Sequence, residues 1–277
     1  MKKAFIFDLD GTLLKSDLTI SCRTKSALRE IKERNHIIII STGRMYASTM
    51  YIIENFLPFL KEYVIVSAYN GGYVVSPEGR IIFEKGIEKD LAIKCVEFLR
   101  KLDIHRHIYI NDKLISEQDD KEIKDYAVHS FVDYFLVDDL IKEIRNSKHP
   151  PLKLLAIGEP HKINEVKFLS EKEFDGKFNI MKSWDIYLDF IPSDVSKGTS
   201  LKIISDLYNF EIEHCYVFGD SENDIEMLKL TKNSYAMGNS TDEVKNTSNN
   251  ILPTNDEDGV AYAIEKILAD DFNNVNN

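Results

Sequence analysis

Cysteine is scarce in this chain. Cys22, Cys95 and Cys215 are all there is, an odd number, widely spaced and without a CxxC pair. That excludes a disulfide framework and a thiolate zinc site, and it suits a reducing compartment. Positive charge is short as well: 35 Lys and Arg stand against 46 Asp and Glu, a net charge of −11. Such a balance argues against nucleic acid as a partner, because affinity for a phosphate backbone comes from cations. A few aimed donors can still hold a small anion against an acidic background. Long apolar runs are missing too, and none approaches the roughly 18 residues that a membrane span needs. Residues 1–7 reach Asp8 before a signal-peptide core could form. The expectation is a cytoplasmic protein, a monomer by default, with neither membrane nor nucleic acid as a partner. What is present is 277 residues, 43% of them hydrophobic, enough for one large domain or two modest ones.

Short apolar runs alternate with helical patterns in the first third. Residues 4–7, 37–40 and 63–67 read as buried strands, and residues 21–34 and 45–57 as amphipathic helices between them. This βαβαβ order implies a parallel sheet covered by helices, with all strand ends on one edge, where ligands bind. Turn signals at Asn70-Gly71-Gly72 and Pro77-Glu78-Gly79 suggest a hairpin leaving the sheet. From about residue 87 to 185 the character changes to short strand-like pieces (107–110, 114–116, 134–137, 152–157, 184–191) separated by helices, as in an inserted α+β module. The last third returns to the first pattern. It has a helix over 197–208, a strand over 215–218, a helix over 221–230 and a strand over 234–237. A capping box of Ser240 with Glu243 opens the next helix, a final helix covers 256–268, and a loose Asp- and Asn-rich tail follows.

The chemistry collects at the strand ends. The first strand ends in Asp8-Leu9-Asp10-Gly11-Thr12, where Gly11 permits a turn that lets two carboxylates share a site. Two like charges held close need a cation between them or a proton on one, and magnesium is the usual hard cation beside phosphate. Standing alone, Asp-x-Asp-Gly would be better explained by an Asx turn; following a buried strand at the N-terminus, it points to the shared site. The second strand ends in Ser41-Thr42-Gly43-Arg44 before a helix, a hydroxyl and exposed amides suited to an anion, or simply an N-cap. Lys197 stands in the first turn of a helix, where the helix dipole prefers anions. An anionic ligand would resolve the mismatch. The run Phe218-Gly219-Asp220-Ser221-Glu222-Asn223-Asp224 places three acids where a strand passes into a helix, more than capping requires.

In this order, these residues resemble the haloacid dehalogenase superfamily of phosphotransferases, in its Cof-type, sugar-phosphatase-like branch. Its four motifs match Asp8-Leu9-Asp10-Gly11-Thr12, Thr42, Lys197, and Gly219-Asp220 through Asn223-Asp224. Asn70-Gly71 and the stretch 191–198 are also similar to that branch, and the likeness covers essentially the whole chain. It implies an α/β fold: a Rossmann-like core of residues 1–82 and 191–277, with an inserted α/β cap over 83–190 that selects the substrate. It implies a phosphatase in which Asp8 is the nucleophile and Asp10 the acid and base. Thr42, Gly43 and Lys197 would hold the phosphoryl group. Magnesium would be bound by Asp8, Asp10 (through its carbonyl), Asp220 and Asp224. Arg44, Asn70, Gly71 and Asn223 are weaker candidates for substrate contact, and so, in the cap, are His107, Lys153, Tyr187 and Asp189. The expected substrate is a small phosphorylated metabolite, a sugar phosphate by preference. The competing reading is a phospho-accepting or phosphometabolite-binding protein on the same fold that does not turn over.

Overall fold

The computed structural model describes residues 2–275. In chain order the strands are β1 (Ala4–Phe7), β2 (Ile37–Ser41), β3 (Ile65–Ala68), β4 (Tyr73–Val75) and β5 (Ile81–Glu84). Then come β6 (His105–Ile110), β7 (Lys113–Ser116), β8 (Tyr134–Leu136), β9 (Lys153–Ile157), β10 (Phe178–Trp184) and β11 (Tyr187–Pro192). The last three are β12 (Tyr216–Gly219), β13 (Ser234–Ala236) and β14 (Asn250–Ile251). The helices are α1 (Cys22–Glu33), α2 (Tyr46–Phe56), α3 (Lys89–Lys101), α4 (Lys121–Ser130) and α5 (Leu140–Asn146). They continue with α6 (Pro160–Phe174), α7 (Lys197–Tyr208), α8 (Ile225–Leu228), α9 (Asp242–Thr247) and α10 (Gly259–Val275).

Two sheets result. The larger has eight strands in the order β14-β13-β12-β1-β2-β3-β4-β5, parallel except at the β4–β5 edge. Because successive side chains on a strand face opposite ways, the central strands feed two cores. Phe5, Phe7, Ile38 and Ile40 pack with Leu28 and Ile31 of α1 and Ile264 of α10. Ala4, Ile6, Ile37 and Ile39 pack with Leu201 and Ile204 of α7 and Met227 of α8. A strand that is apolar at every position is thus buried on both faces, as a Rossmann-like core demands.

The second sheet has six strands in the order β10-β11-β9-β6-β7-β8. One face packs on α3, α5 and α6 through Ile108, Leu154 and Ala156. The other turns Tyr109, Leu155 and Ile157 toward α4 and joins them to the core that reaches Tyr69 and Phe7. The second sheet is therefore seated on the first through apolar contact.

Several local expectations need correction. The β4–β5 hairpin does not leave the sheet; β4 pairs with β3, and the hairpin extends its edge. Residues 221–230 are not one helix but a 3-10 turn, Glu222–Asp224, followed by the four-residue α8. The strand expected over 184–191 is β11 together with only the last residue of β10; the rest of β10 was not expected, and the two strands join at Asp185-Ile186. No capping box forms at Ser240, because α9 is capped one residue later at Thr241 and Ser240 Oγ has no hydrogen-bond partner among the described residues. The short β14 escaped notice, two residues being too few for periodicity to register. Beyond Leu268, expected to be loose, α10 continues to Val275, and residues 276–277 lie outside the described residues.

Candidate active site

The carboxyl edge of the large sheet gathers the strand-end residues. Asp8 directly follows β1, and its N–H donates to the Phe218 carbonyl at 3.1 Å, so the sheet ladder holds it in place. The chain then turns at Gly11 with φ +76°; a Cβ there would sit 2.3 Å from Asp220 Oδ2. Glycine is required twice over, for the left-handed backbone and for the space. The Gly11 carbonyl accepts from Asn239 Nδ2 at 2.9 Å, and Thr12 Oγ1 donates to Asp220 Oδ1 at 3.0 Å.

Asp8, Asp220 and Asp224 each bring a carboxylate oxygen within 4.8 Å of the others. Lys197 Nζ lies 2.5 Å from Asp8 Oδ1 and 2.7 Å from Asp224 Oδ1. Its place at the start of α7, unfavourable for the helix dipole, is thus compensated by two carboxylates of the protein itself. Burial works against its charge, but Asp224 and Asp8 outweigh it and raise the Lys197 pKa. One cation for three crowded acids, two of them buried, is too few. Burial, with repulsion from Asp224 and Asp10, lifts Asp8 to about 7 although Lys197 opposes it. Asp220 is raised well above the usual carboxylate range, by burial first and then by Asp8 and Asp224. Asp224 is fixed by the Asp220 and Ser221 N–H groups, which donate to its Oδ2 at 2.9 and 3.0 Å. A crowded set of hard oxygen donors that resists full ionisation fits a divalent cation of the magnesium type.

Asp10 is placed differently. Arg44 clasps it from two nitrogens, Nε to Oδ2 and Nη2 to Oδ1, each at 2.7 Å. Burial favours its neutral form, but the Arg44 charge and hydrogen bonds prevail and the Asp10 pKa is lowered. Its side chain therefore stands outside the acidic trio. Two carboxylates two residues apart are thus pushed in opposite directions.

Of the remaining candidates, Thr42 is buried, with its N–H on Ser67 O at 2.8 Å and its Oγ1 accepting from Arg44 N–H at 3.1 Å. Asn70 Nδ2 donates to Asp189 Oδ2 at 3.0 Å, and Asn70 Oδ1 accepts from Asn223 Nδ2 at 2.8 Å. Lys153 Nζ reaches Gly43 O at 2.9 Å and Asp189 Oδ2 at 3.3 Å. A polar chain thereby ties the second sheet to the first. Gly71, at φ +100°, is a packing residue, because a Cβ would lie 2.3 Å from the Ser196 carbonyl.

A cavity of about 760 Å³ opens between the sheets. Asp8, Asp10, Gly43, Arg44, Asp220, Asn223, Lys153 and Tyr187 line it. Thr42, Lys197, Asp224, Asn70, Gly71 and Asp189 stand behind that lining, and His107 is wholly buried in the second sheet away from it. The wall also includes Tyr126 and His129 of α4, Trp184 with the turn after it, and Asn239, none of which the sequence reading singled out. Asn239 was findable, since it stands in the loop just after β13, on the same edge of the sheet as Asp8. The others depend on how the second sheet lies on the first.

The family profile for haloacid dehalogenase-like hydrolases matches residues 5–264. The chain is 30% identical over 276 residues to 5-amino-6-(5-phospho-D-ribitylamino)uracil phosphatase YitU of Bacillus subtilis, covering 95% of this chain and 96% of that one. It is 26% identical over 288 residues to phosphatase YwpJ of the same organism, with 96% and 100% covered. Among solved structures, TM0651 from Thermotoga maritima superposes with a TM-score of 0.83 at 34% identity, over 96% of this chain and 97% of that one. The chain belongs to the haloacid dehalogenase-like hydrolase family. Within it, the relatives place the chain among the phosphatases. Among the described residues, no helix is long and apolar enough to cross a membrane.

Proposed function

We propose that the protein is a magnesium-dependent phosphatase that moves the phosphoryl group of a small phosphorylated metabolite to Asp8 and then to water. The observation that carries this reading is geometric: Asp8, Asp220 and Asp224 gather at the end of the first strand with Lys197 between Asp8 and Asp224, and Asp10 stands beside them in the grip of Arg44. In the first step an Asp8 carboxylate oxygen bonds to phosphorus as the ester P–O bond breaks, and Asp10 gives the leaving oxygen a proton. In the second, water attacks phosphorus, Asp10 takes its proton, and the acyl phosphate opens to inorganic phosphate and free Asp8. Asp10 cannot carry a proton while Arg44 holds both its oxygens. The substrate phosphate is the natural competitor for that guanidinium, so binding would free Asp10 as it recruits Arg44. Thr42, the Gly43 N–H and Lys197 would steady the transferring group.

Asp8, Asp220 and the Asp10 carbonyl, with Asp224 from the same loop, would hold magnesium, whose charge offsets the repulsion between phosphate and Asp8 and stabilises the transition state. Residues 83–190 would serve as a cap on a core of 1–82 and 191–277, excluding water and choosing the leaving group. The polar wall, and the phosphorylated ribityl group named for the Bacillus relative, support a polyhydroxylated leaving group such as a sugar or sugar alcohol. The protein would act as a monomer in the cytoplasm. Phosphate release from a panel of phosphorylated metabolites, with magnesium and with chelator, tests the reading. Magnesium-dependent release is expected, with phosphorylated sugars and polyols leading. Release without regard to metal, or none at all, would overturn it.

A further inference from the structure

On β6 every second residue faces α4, and these are His105, His107 and Tyr109. Asp120, the N-cap of α4, accepts from Ile123 N–H through Oδ1 at 3.0 Å and meets His105 Nδ1 through Oδ2 at 2.7 Å. His105 Nε2 lies 3.1 Å from His107 Nδ1, and His107 Nε2 lies 3.0 Å from the Tyr109 hydroxyl. The Tyr109 hydroxyl donates to the Tyr126 hydroxyl at 2.5 Å. Tyr126, farther along the same helix, lines the active-site cavity. His107 and Tyr109 are fully buried, whereas the Asp120 side chain is 28% exposed. An unbroken row of hydrogen bonds thus runs from the surface of the second sheet to the wall of the site.

The sense of every bond in that row is determined by one proton. A neutral imidazole has one donor and one acceptor nitrogen, and an ionised carboxylate only accepts. With His105 neutral, its Nδ1–H must serve Asp120, so its Nε2 accepts from His107 Nδ1–H. His107 Nε2 then accepts the Tyr109 proton, the two tyrosine hydroxyls turn so that Tyr126 donates to Tyr109, and the Tyr126 oxygen at the cavity wall is left as an acceptor. With His105 doubly protonated, both its nitrogens donate and each later bond reverses. Tyr126 then has its own proton free to donate into the cavity. Both states leave every group in the row satisfied, as a buried network requires.

We propose that Tyr126 contacts the leaving group of the substrate and that the proton on His105 sets whether its hydroxyl accepts or donates there; this rests on the phosphatase reading above. The charges facing His105 are Asp120, Glu122 and Arg106, and those facing His107 are His105 and Lys153. Tyr109 faces Asp189 and Tyr69, with Lys153 Nζ 5.0 Å from its ring centroid, and Tyr126 interacts with Arg44. Burial lowers the His105 pKa against the pull of Asp120 and holds His107 well below the ordinary value. His107 therefore stays neutral while His105 titrates.

Long-range proton–nitrogen NMR of the imidazoles in the full chain, assigned with His105→Gln and His107→Gln, reads this directly between pH 8 and 5. At high pH both rings carry the proton on Nδ1. As His105 gains its second proton, His107 remains neutral and moves its proton to Nε2. The kinetic companion is the ratio of kcat/KM for a phosphorylated polyol to that for a short alkyl phosphate without hydroxyls, whose phosphate ionises close to the polyol ester's, so that titration of the phosphate itself largely cancels. In the wild type that ratio changes by about threefold or more across the His105 titration; in Tyr126→Phe it is lowered and flat. A His107 that keeps one tautomer throughout, or a Tyr126→Phe ratio that follows the wild type, overturns the proposal. Failure of the wild type to release phosphate from any ester would instead overturn the phosphatase reading, and the substrate contact with it.

Discussion

Replacing Asp8 by Asn should abolish turnover and at the same time stabilise the metal-free protein at alkaline pH. Asp8 is 3% exposed and keeps its proton to about pH 7, whereas an unfolded aspartate releases it near 3.8. Between those values the folded state binds more protons than the unfolded one, so stability falls as pH rises and the loss is complete above pH 7. Each pH unit in the window corresponds to about 1.4 kcal/mol. About two such units lie above pH 5, which makes about 3 kcal/mol between pH 5 and pH 8. Asn lacks the titration, and the Lys197 ammonium retains Asp224 as a partner. Urea unfolding with chelator at both pH values, taken as the difference between wild type and variant, isolates the effect from other titrating groups. The variant should gain on the wild type by about 2–3 kcal/mol on going from pH 5 to pH 8, and magnesium should restore the wild type alone. A difference independent of pH, or one that favours the wild type at pH 8, would refute this electrostatic reading of the trio.

Lys197→Met removes the one cation that Asp8 and Asp224 share; urea unfolding at pH 8 should show a loss of about 3–5 kcal/mol, smaller at pH 5, with no phosphate release. Gly11→Ala drives a methyl group into Asp220 Oδ2 on a left-handed backbone, so calorimetric magnesium affinity should fall about tenfold or more, the size expected when a ligand-orienting contact is lost. Lys167→Ala breaks the 2.9 Å ion pair with Glu222 that joins α6 to the core loop. Both partners are partly exposed, and thermal unfolding should register no more than about 1 kcal/mol.

The core was legible because its signals are local. Four consecutive isoleucines announce a strand buried on both faces, and Asp8, Thr42 and Asp220 each follow such a strand. The orientation of Asp10 was not legible: nothing in Asp-x-Asp-Gly says that Arg44, thirty-four residues on, takes one carboxylate out of the trio. His107 was weighed as a substrate contact because it stands on an expected strand. Alternation alone gives its face, but only the seating of α4 on β6 shows that this face is buried. The break at Asp185 was missed because Trp184 and the following residues make a continuous strand-like run, while pairing of β10 with β11 is a tertiary fact. Short elements such as β14 and the Glu222–Asp224 turn carry too few residues for a period to show.

Borohydride trapping during turnover is the most direct test of phosphoryl transfer to Asp8, because an acyl phosphate is reduced to the alcohol whereas a free carboxylate is not. With magnesium and a phosphorylated substrate, peptide mass spectrometry should find residue 8 converted to homoserine, with Asp10, Asp220 and Asp224 unchanged. Turnover that continues while residue 8 is recovered only as aspartate, or conversion at another carboxylate, would contradict the account.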